Sequence, residues 1–262
     1  MKNEILTLLP PDHPWGQSLY WYETIPSTNA LAKDMAKTGA AQGTVLLADS
    51  QSAGRGRLGR SFCSQSGGIY MSVILRPDCD PQELMHLTCA VGVAACDAVE
   101  DVTGFRPGIK WINDLMANGK KLGGILTELV MDGGTVRSAV VGIGINCTQT
   151  PSDFPPELQA IACSLSSVTG KAIDRASLAA ALICRLEEMS KNLQDRQSIM
   201  DRYRSNCVTI GKQVTIIRGD QRTSGRALAV QDDGSLLVQF DNGSISTVNA
   251  GEVSVRGLFG YT

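Results

Sequence analysis

The 262-residue sequence predicts an α+β fold followed by a small all-β domain. In the front part, apolar segments with strand periodicity alternate with longer segments of helical periodicity. Beyond Gly211 the helical periodicity disappears, and hairpin signals stand close together at residues 232–234 and 241–243. We therefore expect residues 1–210 to form a mixed sheet with helices on one side, and residues 211–262 to form an SH3-like β-barrel.

Composition and charge narrow the class of protein. Hydrophobic residues make up 43% and charged residues 19% of the chain, which is typical of a globular protein. A formal net charge of −2 provides no global attraction to nucleic acid or anionic lipid. Residues 1–15 lack the apolar run of a signal peptide, and no stretch is apolar enough to span a bilayer. The sequence thus predicts a cytoplasmic protein that binds phosphate only through a local cluster of cations.

The cysteines are predicted to be packing residues and not metal ligands or redox-active pairs. None forms a Cys-x-x-Cys pair, and the chain has only 2 histidines with which to complete a metal site. We expect reduced, half-buried thiols. The 8 cysteines are Cys63, Cys79, Cys89, Cys96, Cys147, Cys163, Cys184 and Cys207.

Periodicity predicts the individual elements of the front part. Residues 27–37 form a helix that Ser27 or Thr28 can cap, and residues 81–102 form a long helix. Residues 132–134 form a hairpin turn between two strands. The remaining predicted elements are strands at 44–49, 69–75, 109–111, 122–131 and 135–145, and a helix at 178–193.

A loop rich in glycine and arginine, residues 52–68, contains the segment Gly-Arg-Gly-Arg-Leu-Gly-Arg at 54–60. Glycines let the backbone approach a ligand, and arginines supply forked donors for phosphate or carboxylate oxygens. The loop joins two strands, so it is neither a P-loop nor a dinucleotide fingerprint, both of which open a helix. Taken alone, the segment fits a solvated basic loop or a nucleic-acid patch as well as it fits a binding site for an anionic ligand.

Two further segments carry candidate residues. Lys110 begins Lys-Trp-Ile-Asn-Asp-Leu at 110–115, and Lys-Lys-Leu-Gly-Gly-Ile-Leu follows at 120–126. A lysine in an extended apolar segment either reaches to the surface or points into a cleft. Gly-Ile-Gly-Ile-Asn at 142–146 ends a strand, where Asn146 can also simply cap a turn.

These three segments, together with Ser-Thr-Asn at 27–29, resemble the biotin–protein ligase family. That family carries Ser-Thr-Asn, Gln-x-Ala-Gly-Arg-Gly-Arg-x-Gly-Arg, Lys-Trp-Pro-Asn-Asp, Lys-Leu-x-Gly-Ile-Leu and Gly-x-Gly-x-Asn. All these motifs occur here in the same order, and the likeness covers about residues 20–255. The sequence departs from the pattern at Ile112, which replaces proline, and at Phe62, which replaces the tryptophan of many members.

The resemblance implies a class II synthetase-like sheet and an enzyme that joins biotin to AMP using ATP and Mg²⁺. The biotin then passes to a lysine of a biotin carboxyl carrier protein. The resemblance does not identify a protein ligand for Mg²⁺, for which Asp114 is a candidate.

The resemblance also implies roles for single residues. Ser27, Thr28 and Gln51 would bind the ureido head of biotin, and Lys110 would lie between the biotin carboxylate and the α-phosphate. Asn146 and Phe62 would face the adenine. The implied biotin-binding residues are Ser27, Thr28, Asn29, Gln51, Arg55, Gly56, Arg57 and Lys110, and the implied ATP-binding residues are Arg55, Arg57, Arg60, Phe62, Lys110 and Asn146. Arg55, Arg57 and Lys110 are the expected catalytic cations.

Several alternatives remain at this stage. About twenty residues precede the first motif, too few for a helix-turn-helix module, so we expect a monofunctional enzyme that does not bind DNA. Lipoate–protein ligase shares the expected fold but should lack the polar Ser-Thr and Gln set. A nucleic-acid-binding module would need a strongly basic face. The sequence leaves the oligomeric state open, a homodimer included.

Overall fold

The computed structural model describes residues 1–218, 220–249 and 252–255, and its front part is built on a seven-stranded sheet. The strand order is β1-β2-β3-β7-β6-β5-β4, with β1 and β2 parallel and the other neighbours antiparallel. The predicted mixed sheet is therefore confirmed. Its strands are β1 (Leu19–Ile25), β2 (Thr44–Gln51), β3 (Gly68–Leu75), β4 (Gly108–Lys110), β5 (Asp114–Ala117), β6 (Lys120–Asp132) and β7 (Thr135–Asn146).

Helices cover both faces of this sheet. They are α1 (Lys2–Leu8), α2 (Thr28–Lys37), α3 (Leu87–Thr103), α4 (Pro156–Gln159), α5 (Leu165–Thr169), α6 (Arg175–Lys191) and α7 (Arg196–Asn206). Val45 and Leu47 of β2 join the main core with the long helices α3 and α6, whereas Leu46 between them packs against Ala32 and Ala36 of α2. Successive strand residues point to opposite faces, so one strand serves both layers. The long helices lie on one side as predicted, and α2 is the exception.

Helix α2 is held at both ends. Ser27 caps its start, accepting from the backbone N–H of Ala30 at 3.4 Å, as the sequence predicts. At its end the Arg76 guanidinium donates to the carbonyl oxygens of Ala36, at 3.0 Å, and Ala40, at 2.6 Å. These bonds satisfy carbonyl groups that a helix end leaves unpaired. The end of α2 is thereby attached to Arg76, which directly follows β3.

The predicted single helix over residues 81–102 is wrong at its start. Residues Pro81–Leu84 form a tighter 3₁₀ turn, and the α-helix begins at Leu87. The buried His86 between them places its Nε2 2.9 Å from the carbonyl oxygen of Leu193, a tertiary contact that periodicity cannot show. Helices α1 and α7 were not predicted, since α1 buries only Ile5 and α7 buries few residues.

The second sheet has five strands in the order β11-β10-β9-β8-β12, all antiparallel. Hairpins join β9 to β10 and β10 to β11 at the two predicted turns. Residues 256–262 of the predicted barrel lie outside the described residues, as do 219, 250 and 251. The strands are β8 (Gln213–Arg218), β9 (Gln221–Val230), β10 (Leu236–Phe240), β11 (Ile245–Val248) and β12 (Glu252–Val255).

The two sheets meet around Trp111, which directly follows β4. Its indole Nε1 donates to the carbonyl oxygen of Gly234 in the β9–β10 turn at 2.8 Å, and its backbone N–H donates to Thr209 Oγ1 at 2.9 Å. The Tyr203 hydroxyl donates to the carbonyl oxygen of Ile112 at 3.3 Å. The Trp111–Ile112 peptide bond is cis. The segment that carries Lys110 is thus anchored to the C-terminal sheet.

All eight cysteines are free, as predicted, but five of them are buried and only Cys63, Cys79 and Cys184 are half-buried. Burial raises the pKa of the Cys147 thiol to about 12 and that of Cys163 to about 11, so both stay protonated at neutral pH. In the part of the chain that the structure describes, no helix combines the length and apolar character needed to cross a membrane.

Candidate ligand-binding site

A cavity of about 290 Å³ lies between the start of α2, the loop at 52–68 and the strands β4 to β7. It opens on the α2 face of the sheet. Ten of the eleven side chains that the resemblance implies as ligand contacts line this cavity: Ser27, Thr28, Asn29, Gln51, Arg55, Gly56, Arg57, Arg60, Phe62 and Lys110. Segments far apart in the sequence therefore meet at one place.

Asn146 is the predicted site residue that does not line the cavity. It is buried at the end of β7, and its Nδ2 donates to the carbonyl oxygen of Cys163 at 2.9 Å. This bond attaches the segment between α4 and α5 to the sheet. The side chain therefore supports the cavity wall instead of facing the cavity.

Neutral polar groups form one end of the cavity. Gln51 Oε1 accepts from the backbone N–H of Thr28 at 2.8 Å and lies 3.1 Å from Thr28 Oγ1. Gln51 Nε2 donates to Ser64 Oγ at 2.8 Å. Because the Thr28 N–H needs an acceptor, the amide of Gln51 can adopt only this orientation. The end of β2, the start of α2 and the loop are linked by these bonds.

The glycine- and arginine-rich loop forms a small hairpin over the cavity. The backbone N–H of Gly56 donates to the carbonyl oxygen of Arg60 at 2.7 Å, and Arg55 pairs with Ser61. Leu58 at its tip has a φ of 56° and is 70% exposed. The tip is therefore held mainly by its own backbone.

Arg57 is the arginine of this loop that turns inward. Its Nη1 donates to Asn113 Oδ1 at 3.0 Å, and Asn113 Nδ2 donates to the carbonyl oxygen of Ile125 at 2.9 Å. Burial lowers the pKa of the Arg57 guanidinium, and the nearby Asp114 carboxylate opposes this shift. Asn113 was not predicted as a site residue, although it lies in the motif that begins at Lys110.

Two lysines supply further positive charge. Lys110 lines the cavity and is only 8% exposed. Lys121 also lines the cavity; its Nζ lies 2.6 Å from Asp114 Oδ1 and 5.9 Å from the centre of the Phe62 ring. Sequence reasoning missed Lys121, although it stands in the Lys-Leu-x-Gly-Ile-Leu motif.

Glycines form the floor beneath Phe62. A Cβ atom on Gly144 would lie 2.5 Å from the Phe62 ring, and one on Gly124 would lie 3.3 Å from it. The ring therefore lies directly on the sheet, with the Tyr70 ring edge-on at 6.4 Å. Leu158 and Ile161 add an apolar wall that no sequence motif indicated.

Among residues 1–218, 220–249 and 252–255, no group of three or more His, Cys, Asp or Glu side chains could hold a metal ion. Asp114 does line the cavity, but its carboxylate is paired with Lys121.

The cavity combines neutral polar groups with several cations beneath a glycine-rich loop, a combination that suits a ligand with an uncharged head and anionic groups. Comparisons with known proteins specify the class further. A family model described as the biotin/lipoate A/B protein ligase family matches residues 21–146, and one described as the biotin protein ligase C terminal domain matches residues 209–256.

Individual relatives agree with these matches. The bifunctional ligase/repressor BirA of Bacillus subtilis is 38% identical over 231 residues, covering 87% of this chain and 71% of the relative. The biotin–[acetyl-CoA-carboxylase] ligase of Mycobacterium tuberculosis is 35% identical over 237 residues, covering 87% of this chain and 85% of the relative. A solved structure of biotin protein ligase from Aquifex aeolicus with biotin and ATP has a TM-score of 0.77 and 31% identity, covering 92% of this chain and 99% of that one. The chain belongs to the biotin protein ligase family.

Proposed function

We propose that this protein activates biotin with ATP as biotinyl-5′-AMP and transfers the biotin to a lysine of a biotin carboxyl carrier protein. One observation carries the proposal. A single cavity joins the neutral polar groups of Thr28 and Gln51 to the cations of Arg57, Lys110 and Lys121. Such a cavity suits a ligand that is neutral at one end and anionic at the other.

The neutral end supports binding of the ureido ring. A cyclic urea presents one carbonyl acceptor and N–H donors, and Ser27, Thr28 and Gln51 offer uncharged hydroxyl and amide partners. A dithiolane ring, as in lipoate, has no N–H or carbonyl group with which to bond such partners. The polar end thus supports biotin over lipoate.

The cationic end supports the first chemical step. A carboxylate oxygen of biotin attacks the α-phosphorus of ATP, the bond to the β-phosphate oxygen breaks, and pyrophosphate leaves. Both reactants are anions, so fixed cations reduce their repulsion and stabilise the charge of the transition state. We assign this role to Arg57, Lys110 and Lys121, with Arg55 and Arg60 on the loop closing over the phosphates.

The loop at 52–68 and the apolar wall of Leu158 and Ile161 would protect the intermediate from water. Biotinyl-AMP is a mixed anhydride that water can hydrolyse, so the site must exclude water after the first step. The loop at 52–68 covers the cavity, and the Phe62 ring lies on the glycine floor where an adenine could stack. We assign Asn146 a supporting role through its bond to Cys163.

The second step transfers the acyl group. The ε-amine of the carrier lysine attacks the biotinyl carbonyl carbon, AMP leaves, and the amine releases a proton. We propose that residues 1–210 form the catalytic domain and that the barrel from 211 onward helps to hold the carrier. The bond between Trp111 and Gly234, which joins the barrel to the cavity wall, supports this assignment.

We propose that Mg²⁺ enters as part of MgATP, because it binds readily to phosphate oxygens and usually keeps several waters. Dependence on ATP and on a carrier protein also favours a cytoplasmic location.

The decisive experiment mixes the protein with biotin, ATP and Mg²⁺ and searches for biotinyl-AMP by mass spectrometry. A parallel reaction contains lipoate in place of biotin. Adding a biotin carboxyl carrier domain should then shift its mass by one biotin. If lipoate is adenylated and biotin is not, the alternative substrate is correct and this proposal fails.

A further inference from the structure

A buried polar cluster lies behind the polar end of the cavity, between α2 and the sheet. We call Asn29, Ser72 and Glu128 the α2 clasp. Asn29 and Ser72 are 4% and 0% exposed, and Glu128 is partly exposed beside Lys33 of α2. Ser72 lies on the face of β3 that packs against α2, where Ile74 also points.

The amide of Asn29 is fully engaged within this cluster. Its Nδ2 donates to the carbonyl oxygen of Leu126 and to Glu128 Oε2, both at 3.2 Å. Its Oδ1 accepts from Ser72 Oγ at 2.6 Å. Reversing the amide would set Oδ1 against two acceptor oxygens, so its orientation is fixed. Asn29 therefore lines the cavity without offering its amide to a ligand.

Glu128 keeps this orientation in place. Its Oε1 lies 2.8 Å from Lys33 Nζ, so the carboxylate is paired on one oxygen and accepts from Asn29 on the other. An ionised carboxylate can only accept hydrogen bonds. The Asn29 amide must consequently present its oxygen to Ser72.

Counting protons then determines how Thr28 faces the cavity. Two hydroxyls, Thr28 and Ser72, lie between two oxygens that only accept, Gln51 Oε1 and Asn29 Oδ1. The Ser72 hydroxyl donates either to Asn29 Oδ1 at 2.6 Å or to Thr28 Oγ1 at 2.8 Å. The Thr28 hydroxyl donates to Gln51 Oε1 at 3.1 Å. In both arrangements the Thr28 proton points to Gln51, so the Thr28 oxygen faces the cavity as an acceptor.

We propose that the α2 clasp is a set of positioning residues that fix Thr28 as a hydrogen-bond acceptor and so select a ligand head that carries an N–H donor. This inference rests on the proposed function, in which that head is the ureido ring. Asn29, Ser72 and Glu128 act through Thr28 and make no hydrogen bond of their own to the ligand.

The test compares Ser72→Ala with Ser138→Ala. Both serines are 0% exposed, but Ser138 Oγ has no hydrogen-bond partner in the described part of the chain. Calorimetric titration with biotin alone should show roughly tenfold weaker binding for Ser72→Ala, as expected for one disrupted buried hydrogen bond, and unchanged binding for Ser138→Ala. The KM for MgATP should stay unchanged in both variants. Equal biotin affinity in the two variants, or an equal rise in the two KM values, would overturn the inference.

A second pair covers the case in which Ser72→Ala does not fold. Glu128→Gln keeps an acceptor oxygen for Asn29, whereas Glu128→Leu removes it, so biotin affinity should fall in the leucine variant and largely recover in the glutamine variant. Equal losses would reject the clasp. The two hypotheses fail separately: wild-type protein that binds no biotin contradicts the proposed function, whereas normal wild-type binding with unaffected variants contradicts only this inference.

Discussion

Lys121 and Asp114 form an ion pair inside the cavity, with Lys121 Nζ 2.6 Å from Asp114 Oδ1. Their side chains are 34% and 16% exposed, so solvent weakens the pair but does not remove it. An incoming carboxylate or phosphate competes with Asp114 for the same ammonium group. In the proposed mechanism Lys121 is therefore a second lysine, beside Lys110, that reduces the repulsion between the two anionic reactants.

Replacing either lysine should nearly stop adenylate formation. We expect Lys110→Ala and Lys121→Ala to lower kcat by roughly 10²–10³-fold, the usual effect of removing one fixed group that stabilises transition-state charge. Pyrophosphate release measures the rate, and circular dichroism checks the fold. Lys120→Ala, next to Lys121 but outside the cavity lining, is the matched control. Near-normal turnover in Lys110→Ala would show that Lys110 is structural and leave the role to Lys121.

Arg57→Gly should make the enzyme release its intermediate. Arg57 supplies a cation to the cavity and connects the loop to Asn113. In the proposed complex it donates to the phosphate of biotinyl-AMP, and its loss removes this charge-assisted bond, worth roughly 1.5–3 kcal/mol. Dissociation of biotinyl-AMP should then accelerate about tenfold or more. Labelling of added serum albumin with biotin measures the escaped adenylate.

Leu58→Gly serves as the control for Arg57→Gly. It gives the same loop an extra glycine without removing a charge, and Leu58 already has a positive φ of 56°. It should label albumin less than Arg57→Gly does. If albumin labelling does not rise in Arg57→Gly while adenylate is still made, Arg57 does not retain the intermediate.

Ligand should order the loop at 52–68. Its five glycines and exposed tip leave little apolar surface to anchor it, so trypsin should cut at Arg55 and Arg60 in the free protein. Biotin with ATP should slow these cuts several-fold relative to a cut at the exposed Arg137 in the β6–β7 hairpin. Cleavage at equal rates with and without ligand would count against a lid.

Trp111→Phe should destabilise the junction between the sheets. The variant loses the bond to the Gly234 carbonyl oxygen at a cost of about 1 kcal/mol, beyond the effect of the smaller ring. Scanning calorimetry should show Tm lower by roughly 2–4 °C for that bond. Trp21→Phe, half-buried on the edge strand β1, controls for ring size. A smaller loss in Trp111→Phe than in Trp21→Phe would contradict this account.

Most of the fold could be predicted because its signals are local. The cap at Ser27, the alternation along β3 and the hairpin turns of the C-terminal sheet depend on neighbouring residues, and the structure confirms them. The errors concern elements with weak local patterns. Helix α7 buries only Ile199, Met200 and Tyr203, too few for a clear apolar stripe.

The sequence by itself determined the α+β architecture, the C-terminal β-rich part and the segments from which the cavity is built. Only the tertiary structure decided which side chains face that cavity. It directs Asn146 to Cys163, engages the Asn29 amide with Ser72 and Glu128, and brings Lys121 to Asp114. Asn29 and Glu128 are separated by 99 positions in the chain. Hydrophobic periodicity predicts the secondary structure of a residue's own segment. Hydrogen-bond partners that lie far apart in the sequence depend on how the segments pack.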